Sequence, residues 1–210
     1  MISPGNSNSV CTEYFMTSLS PFAIFKRFFA SALALAVALI SQSYGQEPDS
    51  NTPDTPGNES VEAAARIREA ILRIDPSVQY TENSAQFFVA GVPVLLVYDL
   101  AADRMRLMSP AADANAMSEE DLMRLMQANF ESALDARYAI AQDTVWATFI
   151  HSLSPLGNDE FASGLGQVVN LVLTFGESYN SGALIYGGGD NNDNSGRDLI
   201  EELEEKTNDI

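Results

Sequence analysis

Two groups of residues have types and spacings that could do chemistry. The first is His151, the sole histidine and the one side chain whose ordinary pKa allows proton exchange near neutrality. The second is the run from Asp190 to Glu201, DNNDNSGRDLIE. With Asp190 as position one, Asn192, Asn194, Asp198 and Glu201 take positions three, five, nine and twelve. That is the oxygen-ligand spacing of an EF-hand calcium loop. Ser195 stands where such a loop needs glycine for its sharp turn, Gly196 comes one residue late, and Arg197 fills a position that is usually apolar. Calcium held weakly by this set is one expectation, and no cofactor is the other.

Neither group makes an enzyme. His151 sits in an apolar run with Val145, Ala147 and Phe149 on its own strand face, the setting of a packed histidine and not of a general base. No G-x-S-x-G elbow, phosphate-cradling loop or dinucleotide fingerprint occurs. Gly164-Leu165-Gly166 lacks the strand-turn-helix context such a fingerprint needs. Cys11 is the one cysteine, so neither a thiolate nor a histidine cluster is available for a metal.

The elements that must position these residues begin after an export signal. Lys26 and Arg27 precede Phe28 to Ile40, a run of thirteen residues without charge or proline, and Ser43-Tyr44-Gly45 closes it. This is the pattern of a secretory signal peptide over 1–45, with Met16 as an alternative start. Thirteen residues of helix reach only about 20 Å, against roughly 30 Å of bilayer hydrocarbon, so no stable membrane span is expected once the signal is cleaved. Cys11 falls in the removed part, and the mature chain has no disulfide. Its expected location is periplasmic or extracellular.

Removing Glu13, Lys26 and Arg27 with the signal leaves 28 acidic and 9 basic residues, a net charge of −19 over 165 residues. Such a surface repels nucleic acid and anionic lipid. Residues 46–59, QEPDSNTPDTPGNE, hold no large apolar side chain and read as a disordered linker. Asn58-Glu59-Ser60 matches a glycosylation acceptor.

Residues 60–182 carry the fold. Ala64, Ile67, Ile71 and Ile74 share one face of a helix that ends before Asp75-Pro76. Strands follow over 78–81, 87–99 and 104–108. The middle one is apolar on both faces, with Gly91 and Pro93 marking a bulge or an edge position. Ser118 and Asp121 start a second helix with a capping box, and Leu122, Leu125, Met126 and Phe130 follow as its apolar positions. Met105, Met108, Met117, Met123 and Met126 cluster in sequence; core packing is the expected role, and an adaptable binding surface is the alternative. A hairpin over 137–141 and 144–153 turns at Gln142-Asp143 and leads to a third helix. Phe161, Leu165, Val168, Val172 and Phe175 form that helix's stripe, Tyr179 continues the spacing, and Gly176 as C-cap would place Tyr179 beyond the regular helix. Gly164 and Gly166 in its first turns imply a close backbone approach to the sheet or another helix. Residues 183–210 read as an acidic, flexible tail, with a short helix possible over 198–205.

The order α-β-β-β-α-β-β-α is an α+β fold, an antiparallel sheet packed with helices. With Asn129-Phe130 closing the second helix and a hairpin after it, residues 60–182 resemble the type III secretion chaperones of the CesT/Tir-chaperone kind and the related YbjN family. The resemblance implies small acidic homodimers that bind an extended segment of another protein. Those chaperones act in the cytoplasm, whereas this chain carries an export signal. A sheet apolar on both faces also needs a cover, and the expected contact residues are Trp146, Thr148, Ile150, Gly164 and Gly166. The function expected is therefore a non-enzymatic exported protein-binding module, a homodimer with an unknown protein or peptide partner. The alternative is an envelope structural or sensory protein whose acidic tail binds calcium.

Overall fold

A computed structural model describes residues 57–182 and 195–208. Helix α1 (Asn58–Ile74) begins the fold, and its inner face of Ala63, Ala64, Ile67, Ala70 and Ile71 is buried. Asp75 ends it: the backbone there turns extended, as a residue before proline must. The Asp75 carboxylate accepts the Ser77 N–H and hydroxyl on one oxygen and the Phe88 N–H on the other. Partial burial pushes its pKa up, but the hydrogen bonds from Ser77 and Phe88 outweigh that and hold it below the usual carboxylate value.

Six strands follow: β1 (Gln79–Tyr80), β2 (Ser84–Val89), β3 (Val92–Asp99), β4 (Arg104–Asp113), β5 (Arg137–Ala141) and β6 (Thr144–Ser152). They form one sheet in the order β1-β2-β3-β4-β6-β5, with every neighbouring pair antiparallel. The fold is α+β. Helix α2 (Glu119–Glu131) lies between β4 and β5 in sequence, α3 (Asn158–Leu173) follows β6, and α4 (Ser195–Asn208) comes last.

The run over 87–99 is two strands and not one. Ala90 and Gly91 have φ of 50° and 77°, and Val89 pairs with Val92 across them. Positive φ at both central residues is the hairpin turn that suits twisted strands. An alanine at the first position hid it, since glycine or asparagine is the usual sign. Gln142 and Asp143 make the same turn between β5 and β6, with φ of 49° and 61°. Pro93 is tolerated because the β3–β4 ladder reaches only to the Leu95–Met108 pair, so no partner there needs its missing N–H.

One hydrophobic core lies between the sheet and the helices. Phe87, Val94, Leu96, Met105, Leu107, Val145, Ala147 and Phe149 meet Ile67 and Ile71 of α1 and Phe161, Leu165 and Val168 of α3. Val172 continues the α3 stripe half-buried, and beyond the helix end Phe175 is half-buried and Tyr179 buried. There the rings of Tyr138, Phe175 and Tyr179 meet edge to face, and Tyr138 donates its hydroxyl to the Leu171 carbonyl. Burial raises the Tyr138 pKa above its ordinary value. Gln167 of α3 is also buried, and its side-chain oxygen accepts the Asp135 and Ala136 N–H groups.

Residues 195–208, read in sequence as part of a flexible tail, are a helix packed on α3 and α1. Ile200, Leu203 and Thr207 step by three and four along its buried face. Five carboxylates within 198–205, four of them exposed, masked this short stripe in the sequence. Both ends of α4 are held. Asn170 of α3 donates to the Gly196 carbonyl, at 2.8 Å. At the far end Arg73 of α1 donates Nε to the Lys206 carbonyl and Nη2 to that of Thr207, each at 2.9 Å. The last carbonyls of a helix lack partners within it, and Arg73 supplies them.

Candidate functional site

Pleating decides which side chains leave the core. In β6, Val145, Ala147 and Phe149 point to the helices, so Trp146, Thr148 and Ile150 point the other way. Trp146 faces Pro110, Thr148 faces Met108 and Ile150 faces Arg106 on β4. Ile150 is 55% exposed, while Trp146, Thr148 and Met108 are half-buried. Trp146 donates its indole N–H to the Ala141 carbonyl, which fixes the ring over the end of β5. On the same face of β3, Leu95 and Val97 are buried.

Gly164 and Gly166 do not join them. Both are buried in α3, on the other side of the sheet. A Cβ on Gly164 would come within 2.6 Å of the Phe149 ring, and one on Gly166 within 2.6 Å of Ile200. Their close approaches are made inside the chain, one to the sheet and one to α4, so they are no contact for a partner. The sequence shows the small residues but not what lies against them, and Ile200 stood in the supposed tail.

A second surface was missed. On α2, Met123, Met126 and Phe130 are 62%, 65% and 90% exposed. Steps of three and four place them on one helical face. Core packing therefore holds for Met105, which is buried, and fails for Met123 and Met126. Helix α2 docks by its opposite face, where Leu125 and Ala128 are buried. Asn129 fastens it to the sheet edge, accepting the Tyr138 N–H at 2.7 Å and donating to the Tyr138 carbonyl at 3.1 Å. Ile140, two residues along β5, is 53% exposed. The sign in the sequence was that the apolar positions of this helix, Leu122, Met123, Leu125, Met126, Ala128 and Phe130, spread wider than one docking face needs. The capping box at its start is formed, with Ser118 and Asp121 bonded in both directions. Hydrogen bonds from Ser118 hold the Asp121 carboxyl below its ordinary pKa.

The residues singled out for chemistry are apart. His151 lies half-buried on the helix-facing side of β6, stacked on Phe149 at 5.8 Å, and its Nδ1 donates to the Ser152 carbonyl at 2.7 Å. Asp198 and Glu201 are exposed on α4, and Asp190, Asn192 and Asn194 lie outside the described residues. Among the described residues no three His, Cys, Asp or Glu side chains stand close enough to hold a metal ion, and no helix is long and apolar enough to cross a membrane. The Asp75 and Asp121 carboxyls and the Tyr138 hydroxyl, whose pKa values are shifted, each serve a local hydrogen bond in a different part of the fold.

No protein-family model matches the chain, and no curated protein does. Among solved structures, it is similar to the Yersinia pestis type III secretion chaperone SycH in complex with a stable fragment of YscM2. The likeness covers 56% of this chain and 99% of that one, at 16% identity and a TM-score of 0.42.

Proposed function

We propose that the protein is an exported, non-enzymatic protein-binding module that pairs with a second copy of itself through α2. One observation carries the reading: Phe130 is 90% exposed, with Met123 and Met126 beside it on the same helical face. A stripe of large apolar side chains on a short amphipathic helix suits a two-fold contact, where the same patch serves both partners. Covering Phe130 alone contributes about 1.5–3 kcal/mol per copy. The basic, apolar and small residues over 26–45 are what support the export part of this reading.

Light scattering after size exclusion tests the pairing. The wild-type chain is expected to run at twice its mass. Met126→Glu/Phe130→Glu is expected to run as a monomer with an unchanged circular dichroism spectrum. A monomeric wild type at tens of micromolar, or a dimeric double variant, would remove this reading.

A further inference from the structure

The sheet face turned away from the helices has a charge unlike that of the chain. Overall there are 29 acidic and 11 basic residues. On this face the pairing register brings together Arg104 and Arg106 of β4 and Arg137 of β5, all exposed. Arg106 lies beside Ile150, and Arg137 lies beside Thr148, which in turn faces Met108. The carboxylate nearest in register is Asp99, opposite Arg104, and its Oδ1 is turned to the Ala101 and Ala102 N–H groups. Arg104 donates to the Ser152 hydroxyl and Arg137 to the Ala136 carbonyl. Among the described residues the one salt bridge is Lys206–Glu202, on α4. Three guanidinium groups thus stand on a partly apolar strip without a carboxylate partner among the described residues.

We propose that this strip on β4, β6 and β5 docks an acidic, apolar peptide segment of a protein partner. Carboxylates of the segment meet Arg104, Arg106 and Arg137, and its aliphatic or aromatic side chains cover Ile150 and Trp146. The inference rests on the protein-binding reading above but uses a surface separate from α2. Arg104 and Arg106 are alternate residues of one strand, about 6.6 Å apart, which is also the spacing of alternate side chains on an extended peptide. Arginine suits carboxylates because its planar fork binds both oxygens. A peptide is favoured over an anionic membrane by geometry. Within a Debye length of about 8 Å a narrow segment meets the local arginines, whereas a bilayer also meets the acidic remainder of the surface.

Trp146, the only tryptophan of the chain, sits on the strip and reports on it. The test titrates the full chain with a Glu-Leu peptide of about eight residues, Glu at positions one and three, Leu at five and seven and Ser between them, so that Glu and Leu share one face when it is extended. Trp146 emission is followed, with a Lys-Leu peptide as control. A saturable change with the Glu-Leu peptide alone is expected. Each of Arg106→Gln and Arg137→Gln should weaken it roughly two- to fivefold, and the pair about tenfold. Ile150→Ser should weaken it as well. Phe130→Glu should leave peptide binding unchanged, so loss of dimerisation and loss of docking are separate results. The proposal is overturned by equal binding of the Lys-Leu peptide, by no emission change with either peptide, or by unaltered affinity in the double arginine variant. Binding to anionic phosphatidylserine vesicles in place of the peptide overturns it too. So does a dimer that dissociates on Ile150→Ser, which would make a second copy the occupant.

Discussion

Gly164 of α3 lies flat against the ring of Phe149 on β6, and a Cβ there would stand 2.6 Å from the ring edge. The helix can approach the sheet this closely only because that position has no side chain. Gly164→Ala removes a residue that costs a helix interior about 1 kcal/mol, yet it is expected to destabilise the fold by about 1–3 kcal/mol through overpacking. Urea unfolding measures the change. Adding Phe149→Leu should recover part of the loss, because the two sites share the same space. A stabilised Gly164→Ala variant would mean that the approach is looser than described.

Asn129 does for the edge of the sheet what another strand would do. It satisfies both outward backbone groups of Tyr138, and Asn129→Ala leaves them without that partner. The expected cost is about 1–3 kcal/mol. Hydrogen exchange locates it: the Tyr138 amide should lose protection while amides in β3 and β4 keep theirs. Equal loss across the sheet would show that Asn129 is not a local fastening.

Asp75 gives the fold a pH dependence of known sign. Its folded pKa lies below the ordinary 3.8, so the folded state favours the ionised form. That contribution is complete above the unfolded value and is lost as pH falls through the lower, folded value. The group is mostly solvated, so its contribution is small, about 0.5–1 kcal/mol. The stability gap between the wild type and Asp75→Asn should be full at pH 7 and close below about pH 4. A gap that stays constant across this range would assign the effect to shape instead of charge.

The parts of the fold that were legible in the sequence are those where periodicity and local chemistry agree. Ser118 and Asp121 announce their helix because a capping box needs only four consecutive residues. Along β6, Val145, Ala147 and Phe149 separate from Trp146, Thr148 and Ile150 by simple alternation. What stayed hidden depends on partners distant in sequence. Ala90 takes a turn conformation that its residue type does not advertise. The stripe of α4 is three residues deep in acid, and only Gly166 and Arg73, far back in the chain, explain why it docks. Whether an apolar face is core or surface, as with Met126 and Phe130, is decided by what packs against it, and no local pattern states that.

The grip of Arg73 on the end of α4 joins residues 133 and 134 positions apart. This sets an order of events in folding, because contacts of such long range form late. The strands and α3 can collect around α1 before α4 docks, and the groove between α1 and α3 stays open until α4 closes it.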